Sequence, residues 1–323
     1  MGALIETLRG SWLTRDWSVP QDGVADTAAR RVDRVIWGLI AATSAVAALG
    51  AVAGGFSIVW TSFAAPAATS AALTSLAFFY RRRGDARLAM SLEGTAQIMM
   101  FAAVGAPLSY LAASANLPLH DGLFDALDRA AGLDWMALLG FMNAHPAWHP
   151  LFAGAYGSFP VQTTTTVLAL GFSGRPRHLR TFILAFILAA LVTIVVSAIL
   201  PAEGAWGYYK LSAADSPAIV PVTREIHLPF FLGLRDGSYR LLVATGAQGI
   251  ITFPSLHAAV AVIFILALWP VPVIRWIALV VNILMLAATP IDGGHYFIDV
   301  LAGVAVAAAC WWSARKIASL PRP

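Results

Sequence analysis

The chain has 323 residues, of which 59% are hydrophobic and only 12% are charged, and its mean hydropathy is +0.74. Soluble domains carry about 25% charged residues, so this composition excludes a soluble globular protein and indicates an integral membrane protein. The formal net charge of +4 does not indicate nucleic-acid binding, because the arginines cluster between apolar segments. A single cysteine, Cys310, excludes an internal disulfide framework.

The chain begins with a charged segment, residues 1–34, that lacks the continuous apolar core of a secretory signal. Its Leu, Trp and Arg residues predict a cytoplasmic amphipathic arm at the membrane interface. The apolar runs that follow are long enough to cross a bilayer core of about 30 Å, so we predict an all-α membrane protein with about eight transmembrane helices. The predicted spans are 35–54, 57–80, 88–113, 149–172, 179–200, 256–270, 273–291 and 296–314.

Two connections between the predicted spans are long. Residues 114–148 carry four aspartates among leucines and aromatics at helical spacing, which predicts interfacial helices lying on the membrane surface. These aspartates are Asp121, Asp125, Asp128 and Asp134. Residues 201–255 are rich in aromatics and prolines, and a connection of this length is more often the wall or lid of a site than an idle linker.

The basic residues orient the predicted spans. If the N-terminus is cytoplasmic and the eight spans alternate, 16 of the 21 Lys and Arg residues lie on the cytoplasmic side. This asymmetry follows the positive-inside rule, so we predict an inner (cell) membrane protein of a bacterium with both termini in the cytoplasm. The same topology brings Ser255, His257 and His295 together on the extracytoplasmic face.

Two short stretches near the C-terminus carry ionisable residues at the mouths of apolar segments, where polarity is expensive and usually functional. Residues 253–257 read Phe-Pro-Ser-Leu-His, and residues 293–299 read Gly-Gly-His-Tyr-Phe-Ile-Asp. If the second stretch is helical, His295 and Asp299 lie on one face within hydrogen-bonding reach. A carboxylate that binds one ring nitrogen fixes the tautomer and leaves the other nitrogen for a substrate. Together the two stretches are suited to attack on phosphorus.

Each of these residues also has a structural interpretation. His257 is compatible with an ordinary polar residue at the membrane interface, and the pair His295 and Asp299 is compatible with a helix cap. The joint spacing and the placement on one side of the membrane favour catalysis. Glu93 and Gln97 lie one turn apart in the third predicted span, where a hydrogen-bonded pair inside the bundle is favoured over an ion path.

The two stretches resemble the motifs of the type 2 phosphatidic acid phosphatase (PAP2) superfamily. The pattern of that family is a basic motif ending in Arg-Pro, then Pro-Ser-Gly-His, then Ser-Arg-x5-His-x3-Asp. Residues 254–257 match the second motif with Leu in place of Gly, and residues 295–299 match the end of the third. The Ser-Leu-His variant and residues 295–303 are similar to the branch that contains inositol phosphorylceramide synthase and the sphingomyelin synthases. The basic motif and the Ser-Arg are missing, and Arg240, with Arg235 second, is the candidate replacement.

The resemblance implies a role for each motif residue. His295 would attack the phosphorus and form a phosphohistidine, while Asp299 would hold its tautomer. His257 would protonate the leaving alkoxide and then accept a proton from the incoming water or alcohol. Ser255 and Arg240 would cradle the phosphoryl oxygens. Neither a metal nor another cofactor is expected.

The structural alternative for Arg240 is an ion pair with Asp236 or Glu225 in the same connection.

The resemblance also implies a division of the chain. Residues 88–314 would form a six-helix catalytic domain, preceded by two accessory helices within 35–87 and followed by a short cytoplasmic tail, 315–323.

The acceptor is left open by the sequence. The favoured interpretation is a membrane enzyme that takes a lipid phosphate or a phospholipid in the bilayer as its substrate and moves a headgroup, in the manner of an inositolphosphotransferase. The alternative is a hydrolase, either a lipid phosphate phosphatase or a polyprenyl pyrophosphate phosphatase. A distant alternative is a lipid transporter without covalent chemistry, although the chain shows no paired half-repeats. The oligomeric state is not predicted.

Overall fold

The computed structural model describes residues 23–221, 223–244 and 249–319. Within these ranges the chain is almost entirely helical, which confirms the predicted all-α fold class. Most of the predicted N-terminal arm, residues 1–34, lies outside the described residues, as does the end of the predicted tail, residues 320–323.

The regular elements are numbered here in chain order. The α-helices are α1 (Gly23–Ala53), α2 (Trp60–Arg82), α3 (Ala86–Ser114), α4 (Asp121–Ala130), α5 (Trp135–Ala144), α6 (His149–Gly157), α7 (Phe159–Phe172), α8 (Pro176–Ile199), α9 (Ala205–Tyr208), α10 (Leu228–Asp236), α11 (Leu256–Leu268), α12 (Ile274–Asp292) and α13 (Phe297–Ser319). Short 3₁₀ turns span Pro146–Trp148 and Ala213–Asp215, and a π-helical turn spans Thr223–His227. Two short strands, β1 (Ser57–Ile58) and β2 (Leu241–Leu242), pair in parallel.

Six of the described helices are long and apolar enough to cross a membrane: α1, α2, α3, α8, α12 and α13. Their outer faces carry exposed large apolar side chains, such as Leu49 and Val52 in α1 and Ile277 in α12. Exposed apolar faces on so many helices match a lipid environment rather than water. The chain is therefore an integral membrane protein.

Two of the eight predicted spans differ from the structure. The segment 149–172 is two helices, α6 and α7, that meet at Ser158, and Pro160 in the first turn of α7 lacks the N–H that a continuous helix would use. The segment 256–270 contains the 13-residue helix α11, which is about 20 Å long and shorter than a bilayer core. Hydropathy alone predicted both segments as spans because it does not register where backbone hydrogen bonding is interrupted.

Helix α11 lies at the centre of the bundle. It packs against α7, α8, α12 and α13. Ile263 and Phe264 are fully buried, as is the run Ala258–Ala261 on all sides of the helix. A helix that is apolar all round is a core helix, so α11 is enclosed by protein and its first turn points into the molecule.

Helix α13 crosses the start of α11 at Gly303. A Cβ on this residue would lie 2.9 Å from the Cβ of Ala258 and would overlap the carbonyl oxygen of Ser255. The N–H of Ser255 in turn donates to the carbonyl oxygen of Asp299 (3.1 Å). The absent side chain at Gly303 thus sets how closely the helix that carries His257 approaches the helix that carries Asp299.

The two long connections pack together over the ends of α12 and α13. Phe124 and Trp135 come from the first connection, Trp206 from the second, and all three belong to one buried apolar cluster with Tyr296. The predicted helices of the first connection are present as α4 and α5. In α4, however, the predicted acidic face is turned inward, since Leu127 is 43% exposed while Asp121 and Asp128 are each 3% exposed.

We expect Gly303→Ala to destabilise the protein by about 1–3 kcal/mol, because the added methyl group overpacks the contact between α13 and α11. Thermal unfolding of the purified protein in detergent measures this effect. The matched control is Gly140→Ala in α5, where a Cβ would meet nothing within 4 Å. There we expect no loss of stability, since alanine is the better helix former. Equal melting temperatures for the two variants would contradict the packing argument.

Candidate active site

Three of the predicted catalytic residues form one hydrogen-bonded chain. Nδ1 of His295 lies 3.2 Å from Oδ2 of Asp299, and Nε2 of His295 lies 3.2 Å from Oγ of Ser255. Because a carboxylate only accepts, Nδ1 carries the ring proton and the Ser255 hydroxyl donates to Nε2. Each of the three residues is at most 2% exposed. The arrangement leaves Nε2 as the unprotonated, nucleophilic nitrogen.

The surroundings of His295 favour its neutral form. Burial lowers the pKa of His295 to about 4, while the carbonyl of Thr252 partly opposes this by favouring the protonated ring. Since the ordinary pKa of histidine is about 6.5, the neutral ring predominates at physiological pH. Only the neutral ring has a free lone pair on Nε2, so burial keeps the candidate nucleophile in its reactive state.

Asp299 also caps a helix, although this helix begins at Phe297 and not at residues 292–293, where the cap interpretation placed its start. Its Oδ2 accepts a hydrogen bond from the N–H of Tyr296 (2.9 Å), the residue that precedes the first residue of α13. A side chain in the first turn that reaches back to this N–H is half of a capping box. The same oxygen accepts from His295, so the cap and the orientation of the imidazole depend on one carboxylate.

His257 is the second residue of α11 and is partly buried. Its ring stacks on Tyr156, with centroids 3.9 Å apart and planes 15° apart, and it meets Phe159 edge-on at 5.2 Å. His257 lies within electrostatic reach of His295. The sequence predicted that these two histidines meet, whereas the ring of Tyr156, which holds the imidazole plane, was not identified as a site residue.

A third histidine lies beside the first two and was missed by sequence reasoning. His227 ends the π-helical turn and interacts electrostatically with both His295 and His257. Burial and, to a smaller extent, the neighbouring His295 together lower the pKa of His227 to about 4. The residue lies in a connection without a recognisable motif, so no sequence signal pointed to it. In the described part of the chain, no three His, Cys, Asp or Glu side chains are arranged to hold a metal ion.

The loop that carries His295 is held at its first end by three side chains. Three successive carbonyl oxygens at the end of α12 each accept a hydrogen bond from a different element. The pairs are Trp135 Nε1 with Pro290 (3.0 Å), Trp206 Nε1 with Ile291 (2.8 Å) and Thr223 Oγ1 with Asp292 (2.7 Å). The last carbonyls of a helix have no partner within it, so these donors satisfy groups that burial would otherwise leave unpaired.

The other end of the loop is held by buried aspartates. Asp128 accepts hydrogen bonds from the N–H groups of Phe297 (2.7 Å) and Ile298 (2.8 Å), and Asp121 accepts one from the hydroxyl of Tyr296 (3.0 Å). Burial raises the pKa of both carboxyl groups, although the backbone N–H groups bound to each of them act in the opposite sense. Sequence reasoning did not identify these two as site residues, but their spacing of seven places them on one helix face.

We expect Asp128→Ala to lower the stability of the protein markedly. The change leaves two buried N–H groups without an acceptor, and each costs about 1–3 kcal/mol. Asp125→Ala on the same helix is the control, because Asp125 binds the exposed Arg129 and the hydroxyl of Tyr209 but, within the described residues, no backbone N–H group, so we expect the smaller loss there. Thermal unfolding of both variants gives the comparison. A smaller loss for Asp128→Ala than for Asp125→Ala would show that the buried cap is not needed.

Arg240, the first candidate for the phosphate-binding arginine, is held by other groups. Its Nη1 donates to the carbonyl oxygens of Leu234 (2.5 Å) and Tyr239 (3.2 Å), and its guanidinium lies over the ring of Phe56 (5.0 Å). It also acts electrostatically on Asp236, but the expected ion pair with Asp236 or Glu225 is not formed among the residues that the structure describes. Within the described residues, no hydrogen bond or ion pair joins Arg240 to the catalytic candidates.

Arg235, the second candidate, keeps an unused donor. Its Nη2 donates to the carbonyl oxygen of Leu117 (2.8 Å), whereas its Nη1 is buried without a hydrogen-bond partner among the described residues. It interacts electrostatically with Glu203 and Asp121. Because Asp121 binds the hydroxyl of Tyr296, Arg235 is linked electrostatically, through Asp121, to the loop of the candidate site.

The polar residues of the third span are arranged differently from the prediction. The expected hydrogen bond between Glu93 and Gln97 is not formed: Glu93 pairs with Arg81, and Nε2 of Gln97 has no partner in the described structure. Both residues line a small pocket with Arg180, which forms two hydrogen bonds with Asp33. The side chain of Arg81 in α2 is long enough to reach Glu93, so the ion pair between Arg81 and Glu93 replaces the predicted hydrogen bond between Glu93 and Gln97.

Residues 124–313 match the family model of the PAP2 superfamily. The match covers more than half of the chain and includes both motif stretches. It identifies the superfamily and no branch within it, so the similarity to inositol phosphorylceramide synthase and the sphingomyelin synthases stays a prediction. No curated protein and no solved structure gives a significant match to the chain.

Proposed function

Because this chain belongs to the PAP2 superfamily, whose members are phosphatases or phosphotransferases, we propose that it transfers a phosphoryl-containing group from a lipid. The substrate would be a lipid phosphate or a phospholipid headgroup, taken at the extracytoplasmic face that the arginine distribution over eight crossings indicates. This topology requires that α6 with α7 make one crossing and α11 with its flanking residues another, in addition to the six long helices. The observation that carries the proposal is the buried hydrogen-bonded chain of Ser255, His295 and Asp299. It presents a neutral, oriented imidazole nitrogen, which is what attack on phosphorus requires.

In the first half of the reaction, Nε2 of His295 attacks the phosphorus. The Ser255 hydroxyl leaves Nε2 as the bond forms and turns to donate to a phosphoryl oxygen. Asp299 keeps the proton on Nδ1 and stabilises the positive charge that develops on the ring. Burial and the neighbouring His295 and His227 lower the pKa of His257 to about 3 in the free protein, so it must be protonated when the anionic phosphoryl group binds beside it and raises that pKa. The protonated His257 then donates to the departing alkoxide, a contribution of roughly 10²–10⁴-fold for a well-placed general acid.

The phosphoryl oxygens have donors from two helix starts. The first turns of α11 and α13 both begin at the site, and the N–H groups of a first turn have no partner within the helix. Such turns bind anions through these donors and the helix dipole. Leu256 and His257 supply the N–H groups of α11, while Asp128 already occupies those of Phe297 and Ile298. The first turn of α11 is therefore the better phosphate cradle.

We assign the guanidinium contact to Arg235. A phosphate needs a hydrogen-bond donor that has no other acceptor. Nη1 of Arg235 has no hydrogen-bond partner among the described residues, whereas Nη1 of Arg240 already donates to two carbonyl oxygens. A charged donor in a dry site stabilises the transferring group more strongly than a neutral one.

In the second half of the reaction, an acceptor resolves the phosphohistidine. We favour an alcohol and hence headgroup transfer, because the nucleophile and its two partners are almost fully buried and a water-poor site protects the intermediate from hydrolysis. If water is the acceptor instead, the same machinery makes the protein a lipid phosphatase.

The decisive variant is His295→Ala. We expect the purified wild type to convert phosphatidic acid or phosphatidylinositol into a new product, detected by mass spectrometry, and the variant to lose at least about 10³-fold of this activity. Glu93→Ala is the control, since Glu93 lies far along the chain in α3 and pairs with Arg81. We expect it to stay active. Full turnover by folded His295→Ala protein rules out the phosphohistidine, and conversion of no donor by the wild type is the result expected of the transporter.

A second pair of variants tests the arginine assignment. We expect Arg235→Ala to lower kcat/KM by roughly 10- to 100-fold. This factor corresponds to the loss of one hydrogen bond to a charged group, which contributes about 1.5–3 kcal/mol. Arg240→Ala removes the donor to two backbone carbonyls and should act mainly on thermal stability. Steady-state kinetics and melting curves on the same preparations separate the two effects. The opposite order in kcat/KM would assign the phosphate to Arg240.

A further inference from the structure

A second histidine–carboxylate pair lies next to the first. Nε2 of His149, the first residue of α6, lies 3.0 Å from Oδ1 of Asp292, the last residue of α12. The side chain of Asp292 is 3% exposed and that of His149 is 13% exposed. The other oxygen, Oδ2 of Asp292, is buried and has no hydrogen-bond partner among the described residues. The reaction proposed above leaves this pair without a role.

The pair borders both site histidines. A Cβ built on Gly293 would lie 2.5 Å from Cδ2 of His295 and 2.9 Å from the hydroxyl oxygen of Tyr156, so these two atoms converge above one backbone position. The negative charge of Asp292 acts on the Tyr156 hydroxyl, and the Tyr156 ring stacks on His257. Tyr156 therefore separates the carboxylate of Asp292 from the imidazole of the proposed general acid–base residue.

The chemistry of this position indicates what it binds. A buried carboxylate oxygen without a donor is costly, so a ligand that supplies an O–H group is favoured there. A phosphoryl group is disfavoured beside Asp292, because two anions repel each other in a dry site. The position thus suits the neutral, hydroxylated partner of the reaction and not the phosphate.

We propose that His149 and Asp292 form the acceptor subsite and that the acceptor is a polyol. This proposal rests on the proposed function. One hydroxyl group of the polyol faces His257, and a neighbouring hydroxyl donates to Oδ2 of Asp292, while His149 holds the carboxylate through Oδ1. Two separate hydrogen-bond acceptors on either side of Tyr156 match two hydroxyl groups on one molecule. The polyol is either a soluble one or the headgroup of a lipid.

Protons and electron pairs are all accounted for in the step that transfers the phosphoryl group from His295 to the polyol. His257 is neutral after it has protonated the first leaving group, and it takes the proton of the attacking hydroxyl. The acceptor oxygen forms a bond to phosphorus as the bond between phosphorus and Nε2 of His295 breaks. The electron pair of that bond returns to Nε2, which restores the neutral imidazole. Asp292 binds the second hydroxyl throughout and exchanges no proton.

The test is a competition between acceptors that differ by hydroxyl groups. Purified protein in nanodiscs receives phosphatidic acid as the donor with equal concentrations of glycerol and propan-1-ol, and mass spectrometry gives the ratio of glycerol phosphate to propyl phosphate. A parallel reaction uses 1-monooctanoylglycerol against octan-1-ol and identifies a lipid-borne polyol. Both ratios are independent of the fraction of active protein.

We expect the wild type to prefer the polyol in at least one reaction and Asp292→Asn to reduce that preference by at least about tenfold. His149→Gln should reduce it less, because the carboxylate remains. The matched control is His145→Gln: His145 stands on the other side of the Pro146–Trp148 turn, and its Nδ1 contacts the carbonyl oxygen of Phe141 (2.9 Å). We expect His145→Gln to keep the wild-type ratio.

The outcomes separate this proposal from the one on which it rests. If the wild type consumes no donor, the proposed function fails. If it consumes donor but releases only inorganic phosphate, or shows the same acceptor ratio as Asp292→Asn, the acceptor subsite is overturned while the phosphohistidine mechanism stands. If Asp292→Asn and His149→Gln both fold and consume no donor, the pair acts in the first half of the reaction, which also overturns the subsite.

Discussion

The candidate active site depends on a short loop, residues 293–296, that joins two apolar helices inside the protein. Peptide groups at helix ends lack internal partners, and in an apolar interior each unpaired group costs several kcal/mol. The chain solves this with side chains from distant segments, which donate to the last carbonyls of α12 and accept from the first N–H groups of α13. The loop is thereby fixed, and His295 with it.

The same constraint explains why the two long connections exist. Trp135 and Asp128 come from the first connection, and Trp206 and Thr223 come from the second. Their backbones also approach the loop closely: the carbonyl oxygen of Gly294 accepts from the N–H of Ala205 (2.8 Å). Gly294 has φ +66°, and a side chain there would collide with Trp206 and Thr223. The connections thus support the loop of the candidate site and also cover it.

A buried polar site of this kind gains reactivity from its dryness. Burial keeps the imidazoles of His295 and His227 neutral, and it strengthens the hydrogen bonds that orient His295. In such a site every polar atom needs a hydrogen-bond partner. A buried polar atom without one therefore indicates a position where a ligand binds. Nη1 of Arg235 and Oδ2 of Asp292 are two such atoms, one suited to an anion and the other to a hydroxyl group.

The amino-acid sequence alone determined the membrane class, the all-α fold and the contact between His295 and Asp299. These properties are local: hydropathy accumulates over one span, and a spacing of four residues lets Asp299, in the first turn of α13, reach back to His295 in the preceding loop, although the two do not share a helix face as predicted. The motif resemblance placed Ser255 and His295 in one site, whereas the hydrogen bond between them was not predicted. Only the tertiary structure decided that Asp128 caps the buried start of α13 and that His149 pairs with Asp292. It also decided that one predicted span is broken into two helices and another is too short to cross the bilayer core. These depend on side chains that meet across more than a hundred residues, or on where backbone hydrogen bonding stops, and neither leaves a periodic signal in the sequence.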